Sequence, residues 1–358
     1  MSTDGMTHAP KGKPRPVCKE GEFIFAIAHL DHGHIEGMSN GLTEAGGRMK
    51  WVYDADPERA KPYLEANPGS KLASSFEQIL EDSEVQLVAG AAVPSDRGPI
   101  GCQVMKAGKD YFVDKSPFTT LEQLEEARKV QAETQQRYFV YYSERLHSEA
   151  GMYASQLVQD GVVGRVIQVL GLGPHRVSIP ARPAWFFDKQ KYGGIITDIG
   201  SHQAEQFLFY TGSKDAEVLS ARVENFAHPE YPGLEDFGEW TFKGDSGASG
   251  YHRVDWFTPD GLSTWGDGRT IILGTDGYIE LRKYLELGRP GEGGDNVYIV
   301  NQEKEERVQV TGKIGYPFFG ELILDVLNRS EKAMTQEHIF KAAEISLKAQ
   351  VVADAAHS

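Results

Sequence analysis

Two cysteines, Cys18 and Cys102, are all that this chain of 358 residues holds, and they lie far apart in no C-x-x-C pattern. That excludes a disulfide framework and a thiolate zinc site, and it fits a reducing compartment. The sequence has no run of about 18 consecutive apolar residues, the length a membrane-spanning helix needs. Its N-terminus has no apolar core behind the first charges, so no secretory signal is read and a cytoplasmic location is expected. Positive charge is scarce as well. With 37 Lys and Arg against 52 Asp and Glu, the net charge of −15 leaves no basic stripe for a nucleic acid. What remains is the composition of an ordinary globular protein, 40% hydrophobic and 25% charged. At this length one hydrophobic core stops growing, so two domains are expected.

The first 20 residues carry three prolines and four Lys or Arg with little apolar content, and they read as a flexible tail, residues 1–21. Order begins at Phe23-Ile24-Phe25-Ala26-Ile27-Ala28, an apolar run suited to a strand buried on both faces. From there strands are expected at 49–53, 85–93, 110–114 and 138–142, alternating with helices at 35–45, 57–66, 75–82, 100–107 and 121–134. Such alternation implies a parallel, doubly wound sheet in an α/β domain, residues 22–145. Beyond it the pattern changes to successive strands at 166–172, 216–225, 236–243, 250–256, 270–274, 278–281, 297–301 and 306–310. Turn signals such as Lys243-Gly244-Asp245 and Pro259-Asp260-Gly261 separate several of them. This second domain, residues 146–358, is therefore α+β with a large, mostly antiparallel open sheet, and long helices at 318–328 and 337–356 complete it.

Ligands of a doubly wound sheet sit at the carboxyl ends of its strands. A dinucleotide fingerprint there wants G-x-G-x-x-G after the first strand and an acid about 20 positions on. This chain has Ala28, Leu30 and Gly33 at the three glycine positions and Asp54 at the acid's distance. A helix N-terminus can hold a diphosphate through its amides, but Leu30 puts a side chain where backbone should approach phosphate. The same loop carries His29, Asp31, His32 and His34, residue types that bind zinc or manganese. Their spacing is unlike the H-x-H-x-D-H run of metallohydrolases, and consecutive loop residues rarely point four ligands inward. No metal site is expected.

The stretch from Gly193 to Glu205, G-G-I-I-T-D-I-G-S-H-Q-A-E, is the densest in chemistry. As a helix it places Asp198, His202 and Glu205 at i, i+4 and i+7 on one face, with Ile195, Ile196 and Ile199 free to pack. A carboxylate and an imidazole on an otherwise apolar helix are costly to bury without partners or work to do. Histidine is also the side chain suited to moving a proton near neutral pH. The alternative is a core histidine satisfied by a nearby aspartate.

Three stretches, in order, resemble the Gfo/Idh/MocA family, the glucose–fructose oxidoreductase and inositol dehydrogenase group. The first is Tyr53-Asp54-Ala55-Asp56-Pro57-Glu58-Arg59-Ala60. The second, Ala107-Gly108-Lys109-Asp110-Tyr111-Phe112-Val113-Asp114-Lys115-Ser116-Pro117, is similar to the family's A-G-K-x-V-x-x-E-K-P. The third is the G-G-x-x-x-D-x-G-x-H run ending at His202. Together they span most of residues 22–358. The resemblance implies an N-terminal Rossmann domain and a C-terminal domain with an open sheet, through which a homodimer or homotetramer assembles. It implies reversible hydride transfer between NAD(P) and a hydroxyl of a sugar, glycoside or cyclitol.

Carried over residue by residue, Lys115 would contact the reacting hydroxyl and the cofactor, lowering the alcohol's pKa. His202 would be the general base, and Asp198 would hold substrate and orient the site. Cofactor contacts are expected at Ala28, Leu30, Gly33, His34, Asp54, Pro94, Ser95, Asp114 and Lys115. The substrate pocket is expected to be lined by Tyr142, Arg145, Arg182, Trp185 and Tyr192 with Asp198 and His202. Asp54 favours NAD over NADP, because a 2′-phosphate would meet a carboxylate. The chain departs from the family at Ala28 and Leu30, at Val93-Pro94-Ser95 in place of T-P-N, at Gly98 in place of a histidine, and at Ser116 between the lysine and the proline. The family also includes members that keep NAD bound and run redox-neutral chemistry. A glycoside-cleaving or isomerising enzyme, or a non-catalytic sugar-binding relative, are thus the alternatives.

Overall fold

The computed structural model describes residues 5–289 and 291–356. In chain order its elements begin with β1 (Ile24–Ala28), α1 (His34–Glu44), β2 (Arg48–Tyr53), α2 (Pro57–Ala66), β3 (Lys71–Leu72) and α3 (Phe76–Glu81). Next come β4 (Leu87–Gly90), α4 (Pro94–Lys106), β5 (Asp110–Asp114), α5 (Leu121–Thr134), β6 (Tyr138–Tyr141), α6 (Ser143–Leu146) and α7 (Glu149–Gln159). The second half runs β7 (Val166–Pro174), α8 (Lys189–Tyr192), α9 (Ile195–Asp198), α10 (Gly200–Thr211), β8 (Ala216–Glu224), β9 (Phe237–Gly244) and β10 (Ser249–Asp255). It ends with β11 (Arg269–Gly274), β12 (Gly277–Arg282), β13 (Asn296–Asn301), β14 (Glu305–Gln309), α11 (Pro317–Asn328) and α12 (Gln336–Ala355).

Two compact units result. The first comprises Met6–Tyr141 and Tyr316–Phe340; the second holds Tyr142–Gly315 and the chain from Lys341. The first is a six-stranded sheet in the order β3-β2-β1-β4-β5-β6, every pair parallel. This is the doubly wound order of a dinucleotide-binding fold. β1 is buried at all five positions, as a strand paired on both edges and covered on both faces must be. Helix starts are set by short polar side chains. Ser75, Thr120 and Ser148 accept from the amides of Gln78, Gln123 and Gly151, and Asp56 accepts from Glu58 ahead of α2.

Three features of this unit differ from the sequence reading. The strand expected at 85–93 stops at Gly90, and α4 starts at Pro94 rather than near residue 100. Pro94 takes the first helical position, where its fixed φ suits the helix and its missing N–H is not needed. Pro99, inside the same helix, leaves the Ser95 carbonyl without its helical donor, and Gln123 Nε2 supplies one at 2.8 Å. Second, residues 316–340 belong with the first unit, not with the second domain, because Phe318 and Phe319 of α11 pack on Phe112 of β5. Third, the described part of residues 1–21 is laid along α1. Gly12 N–H donates to Glu44 Oε2 at 3.0 Å, and the amides of Arg15 and Val17 donate to the carbonyls of Glu44 and Ala45.

The second unit is an eight-stranded sheet, β14-β13-β12-β11-β7-β10-β9-β8. Its one parallel pair is β7 with β10; the others are antiparallel. Burial alternates along β9, β10 and β11, so one face carries the core and the other leaves the cross-strand pair Leu273 and Tyr278 exposed. The helix read across 193–205 is broken at Ile199 into α9 and α10. Gly193 and Gly194 enter it at φ +87° and +95°. A Cβ on Gly194 would lie 2.3 Å from the Gln350 side chain, and one on Gly200 2.6 Å from the ring of Trp240. Gly194 is therefore a packing requirement of α12 on α9, and Gly193 supplies a left-handed backbone. Among the described residues no helix is long and apolar enough to cross a membrane.

Replacing Gly194 with alanine adds a left-handed backbone penalty to an overpacked contact and should cost about 2–4 kcal/mol. Gly212→Ala, at φ +65° with nothing within 4 Å, should cost only about 1 kcal/mol. Denaturant unfolding of the two variants beside the parent protein measures the difference.

Candidate functional site

At the carboxyl ends of the first sheet's strands lies a buried network centred on Arg97. This side chain is 1% exposed. Its Nε donates to the carbonyl of Ala92 at 2.7 Å. One terminal nitrogen donates to the carbonyls of Lys115 and Ser116, and the other to Asp114 Oδ2 at 3.0 Å. The backbone that carries Lys115 is thus pinned from α4. The Lys115–Ser116 peptide bond is cis. Asp114 also meets His32 Nδ1 at 3.0 Å through Oδ2 and His34 Nδ1 at 2.8 Å through Oδ1. Burial alone would raise the Asp114 carboxyl, yet His34, Arg97 and His32 hold it well below the usual carboxylate range. Burial, reinforced by His34, takes His32 down to about 3, and the same two causes take His8 to about 4.

His32, His34 and Asp114 are of metal-ligating type, with their ligand atoms within 4.8 Å of one another. Their arrangement is explained without an ion. The carboxylate charge is balanced by the Arg97 guanidinium, and the imidazole contacts have hydrogen-bond lengths.

The turn after β1 is formed by His29 in the left-handed region, φ +58°, its ring against Phe76 and Tyr53. Leu30 is buried, and its N–H donates to Asp54 Oδ2 at 2.7 Å, while Asp56 N–H donates to Oδ1 at 2.8 Å. Gly33 precedes α1, and a Cβ there would lie 2.4 Å from the carbonyl oxygen of Met6. That glycine admits the chain's own N-terminal segment. Arg59 bonds Asp31 and stands 3.7 Å from Asp54 Oδ1. Ser95 Oγ donates to Asp96 Oδ1 at 3.2 Å beside the buried Pro94. All nine expected cofactor residues, from Ala28 to Lys115, therefore lie at strand carboxyl ends of one sheet, in the loops that follow them, or in the first turn of the next helix.

The second unit gathers the other group. His202 is 2% exposed and stands edge-on to Tyr142, ring centres 6.4 Å apart. Burial, then the Glu205 carboxylate, raises the Tyr142 phenol well above its ordinary value. Asp198 ends α9, half-buried, and its carbonyl accepts from Ser201 Oγ at 2.9 Å. Two residues expected to line a substrate pocket are instead committed internally. Arg145 Nε donates to both oxygens of Glu205 at 2.9 and 3.0 Å, over the ring of Phe209. Tyr192 donates to the Gly233 carbonyl and accepts from Glu235 N–H. Arg182 donates to the carbonyls of Val177 and Arg176 and stacks on Phe186 and Trp256. Trp185 is half-buried at the edge of Phe186.

Sequence reasoning missed Arg97 and Glu144, and weighed His32 only as a metal ligand. An arginine one turn into the helix after a strand-ending Val-Pro-Ser is the available signal for the first. Glu144 gives none, because its partners come from distant elements.

The comparisons agree with this geometry. Residues 31–142 match the oxidoreductase family with an NAD-binding Rossmann fold, and residues 152–280 match the GFO/IDH/MocA C-terminal domain. A crystal structure from Erwinia carotovora atroseptica SCRI1043, provisionally described as an oxidoreductase, superposes with a TM-score of 0.89 at 46% identity, covering 92% of this chain and 98% of that one. The scyllo-inositol 2-dehydrogenase (NAD(+)) of Bacillus subtilis (strain 168) is 24% identical over 257 residues, 72% of each chain. The D-xylose dehydrogenase of Paenarthrobacter nicotinovorans is 24% identical over 149 residues, 40% of this chain; the match spans only 38% of that enzyme's length. The chain belongs to the GFO/IDH/MocA family of NAD-binding oxidoreductases.

The residues present fit NAD at the ribose end. Asp54 accepts two amide hydrogen bonds at the end of β2, and a carboxylate can accept about four, which leaves capacity for ribose hydroxyls.

The neutral buried histidines make this unit sensitive to acid. In the unfolded chain each would take a proton below its ordinary value of 6.5. His32 and His8 in the fold resist protonation down to about 3 and 4. The unfolded state then binds more protons throughout that window, so stability falls as pH drops from about 6.5 towards 3. Asp114, depressed, adds loss in the same direction below about 4. Unfolding free energy measured from pH 8 to 4 should decline, and His32→Asn should flatten the decline.

Proposed function

We propose that this protein is an NAD-dependent dehydrogenase acting on a hydroxyl of a sugar, glycoside or cyclitol. The observation that carries the reading is His202, a buried imidazole beside Tyr142 at the end of the D-x-G-x-H run. The inositol and xylose dehydrogenases among the relatives support the substrate class. Asp54 would hold the adenosine ribose, and its charge disfavours a 2′-phosphate. NAD, when bound, supplies the hydride acceptor. His202 takes the hydroxyl proton at an imidazole nitrogen, as a general base does. The Lys115 ammonium, its backbone fixed by Arg97, stabilises developing negative charge on the alcohol oxygen. Asp198 holds a substrate hydroxyl. We extend the reading to a homodimer or homotetramer built on the open sheet face that carries Leu273 and Tyr278.

A panel of sugars and cyclitols with NAD should give net NADH for at least one member, with NADP much poorer. Product formation with solvent deuterium exchange but no net NADH would replace this reading with redox-neutral chemistry. His202→Asn should lower turnover by roughly two to four orders of magnitude while leaving NAD affinity nearly unchanged. A His202 variant with full turnover would overturn the assignment.

A further inference from the structure

The second unit buries a carboxylate that the proposed reaction has not used. Glu144, on α6, is 2% exposed. One of its oxygens, Oε2, accepts from Lys283 Nζ at 2.9 Å, Gln203 Nε2 at 2.9 Å and Gln206 Nε2 at 3.3 Å. The other, Oε1, is buried and has no hydrogen-bond partner among the described residues. Gln206 also bonds the backbone of the residue that carries the proposed base, its Nε2 donating to the main-chain carbonyl of His202 at 3.1 Å. Its Oε1 accepts from Lys283 Nζ at 2.8 Å and from Thr270 Oγ1 at 3.2 Å. One amide side chain thus ties the Glu144–Lys283 pair to the turn of α10 that carries His202. Leaving a carboxylate oxygen dry and unpartnered is expensive. A further positive charge forming near this oxygen, beyond Lys283 at the other, would offset that cost.

The surrounding elements leave few groups able to supply that charge. Arg145 on α6 is closed in its pair with Glu205 of α10. Glu149 on α7 is taken up by the amides of Gly312, Ile314 and Gly315. His252 on β10, behind the same helix, is driven down to about 3 by burial and stays neutral. Asp198 at the end of α9 and the phenols of Tyr142 and Tyr210 add no positive charge. Lys283, after β12, already serves Oε2. There remain the two imidazoles coupled to this carboxylate, His202 and, at the end of β7, His175. His175 Nδ1 is hydrogen-bonded to the Gly173 carbonyl at 3.0 Å, and its ring lies against Trp256 and Trp265. Burial alone would raise the Glu144 carboxyl, yet Lys283, His202 and His175 together bring it to about 2. It is therefore an anion throughout the working range.

We propose that Glu144 is a positioning residue for His202, resting on the dehydrogenase reading above: its unpartnered oxygen stabilises the imidazolium formed when His202 takes the proton of the substrate hydroxyl, and Gln206 and Lys283 hold the carboxylate in place for that role. His202 must be neutral to accept a proton, so activity falls below its titration point. Removing an anion nearby makes the imidazolium less stable and moves that point to lower pH.

The test follows the His202 ring by NMR in the protein free of cofactor and substrate, and in parallel the acid limb of turnover against pH. Glu144→Gln should move both to lower pH by about one unit, the usual effect of a close opposite charge, and Glu144→Asp should restore both. Lower turnover with an unmoved limb, or movement of His175 in place of His202, would overturn the proposal. Should Glu144→Gln fail to fold, the Glu144 carboxyl resonance of the parent protein should show an inflection at the His202 titration point, and a flat resonance would overturn it. If the ring titration shifts as stated but no carbohydrate is oxidised, the coupling stands and the dehydrogenase reading falls. If turnover is present and the titration is unmoved, the coupling falls alone.

Discussion

A single guanidinium organises the business end of the first unit. Arg97 reaches the loop after β4 through Ala92, the end of β5 through Asp114, and the loop beyond through Lys115 and Ser116. A planar fork of five donors can satisfy four separated oxygens where a point charge could not. Asp114 can then be fully buried as an anion, and as an anion it accepts the contacts of two imidazoles, His32 from the first loop and His34 from the start of α1. The sheet order sets which strands are neighbours, but Arg97 sets where Lys115 stands. Loss of the guanidinium would leave the Asp114 charge uncompensated in a dry site, an outcome far worse than replacing both partners.

The second unit solves a related problem with amides. Its core faces a helix that carries His202, Gln203, Glu205 and Gln206 inward, all of them buried. Arg145 answers Glu205; Lys283 answers Glu144; and both glutamines donate to the Glu144 carboxylate, Gln206 also accepting from Lys283. Gly171 and Gly173 on β7 make room for this, since a Cβ at either would lie within 3 Å of Gln203. The strand is thinned so that a polar helix face can approach a sheet that would otherwise take only apolar side chains.

Much of this could be read from the sequence because it is local. The apolar run at Phe23–Ala28 and the acid at Asp54 are properties of short segments, and the structure places each at the element expected, whereas the helix read through Asp198 and His202 is broken between them at Ile199. What could not be read is set by long-range contact. The start of α4 at Pro94 depends on Gln123 supplying the donor that Pro99 removes. Arg145 and Tyr192 look like pocket residues until Glu205 and Glu235 are seen to claim them. The assignment of α11 to the first unit rests on two phenylalanines finding Phe112, some 200 residues earlier. Glu144 is invisible to any spacing argument, because its partners come from α10 and from beyond β12.

The first helix of the Rossmann unit shows what this means while the chain is being made. Ala9 lies against Gly37 on one side of α1, and the ring of Phe319 fills the place of a Cβ on Gly41 on another. One cover is made before the helix itself and the other only after the whole run of chain from Tyr142 to Gly315. All six strands of the sheet exist once Tyr141 has emerged, yet α1 stays bare along the Gly41 face until synthesis passes Phe319. The nucleotide domain is therefore finished only after Tyr142–Gly315 of the second unit has been translated, and a nascent chain must keep that face from its neighbours throughout that interval.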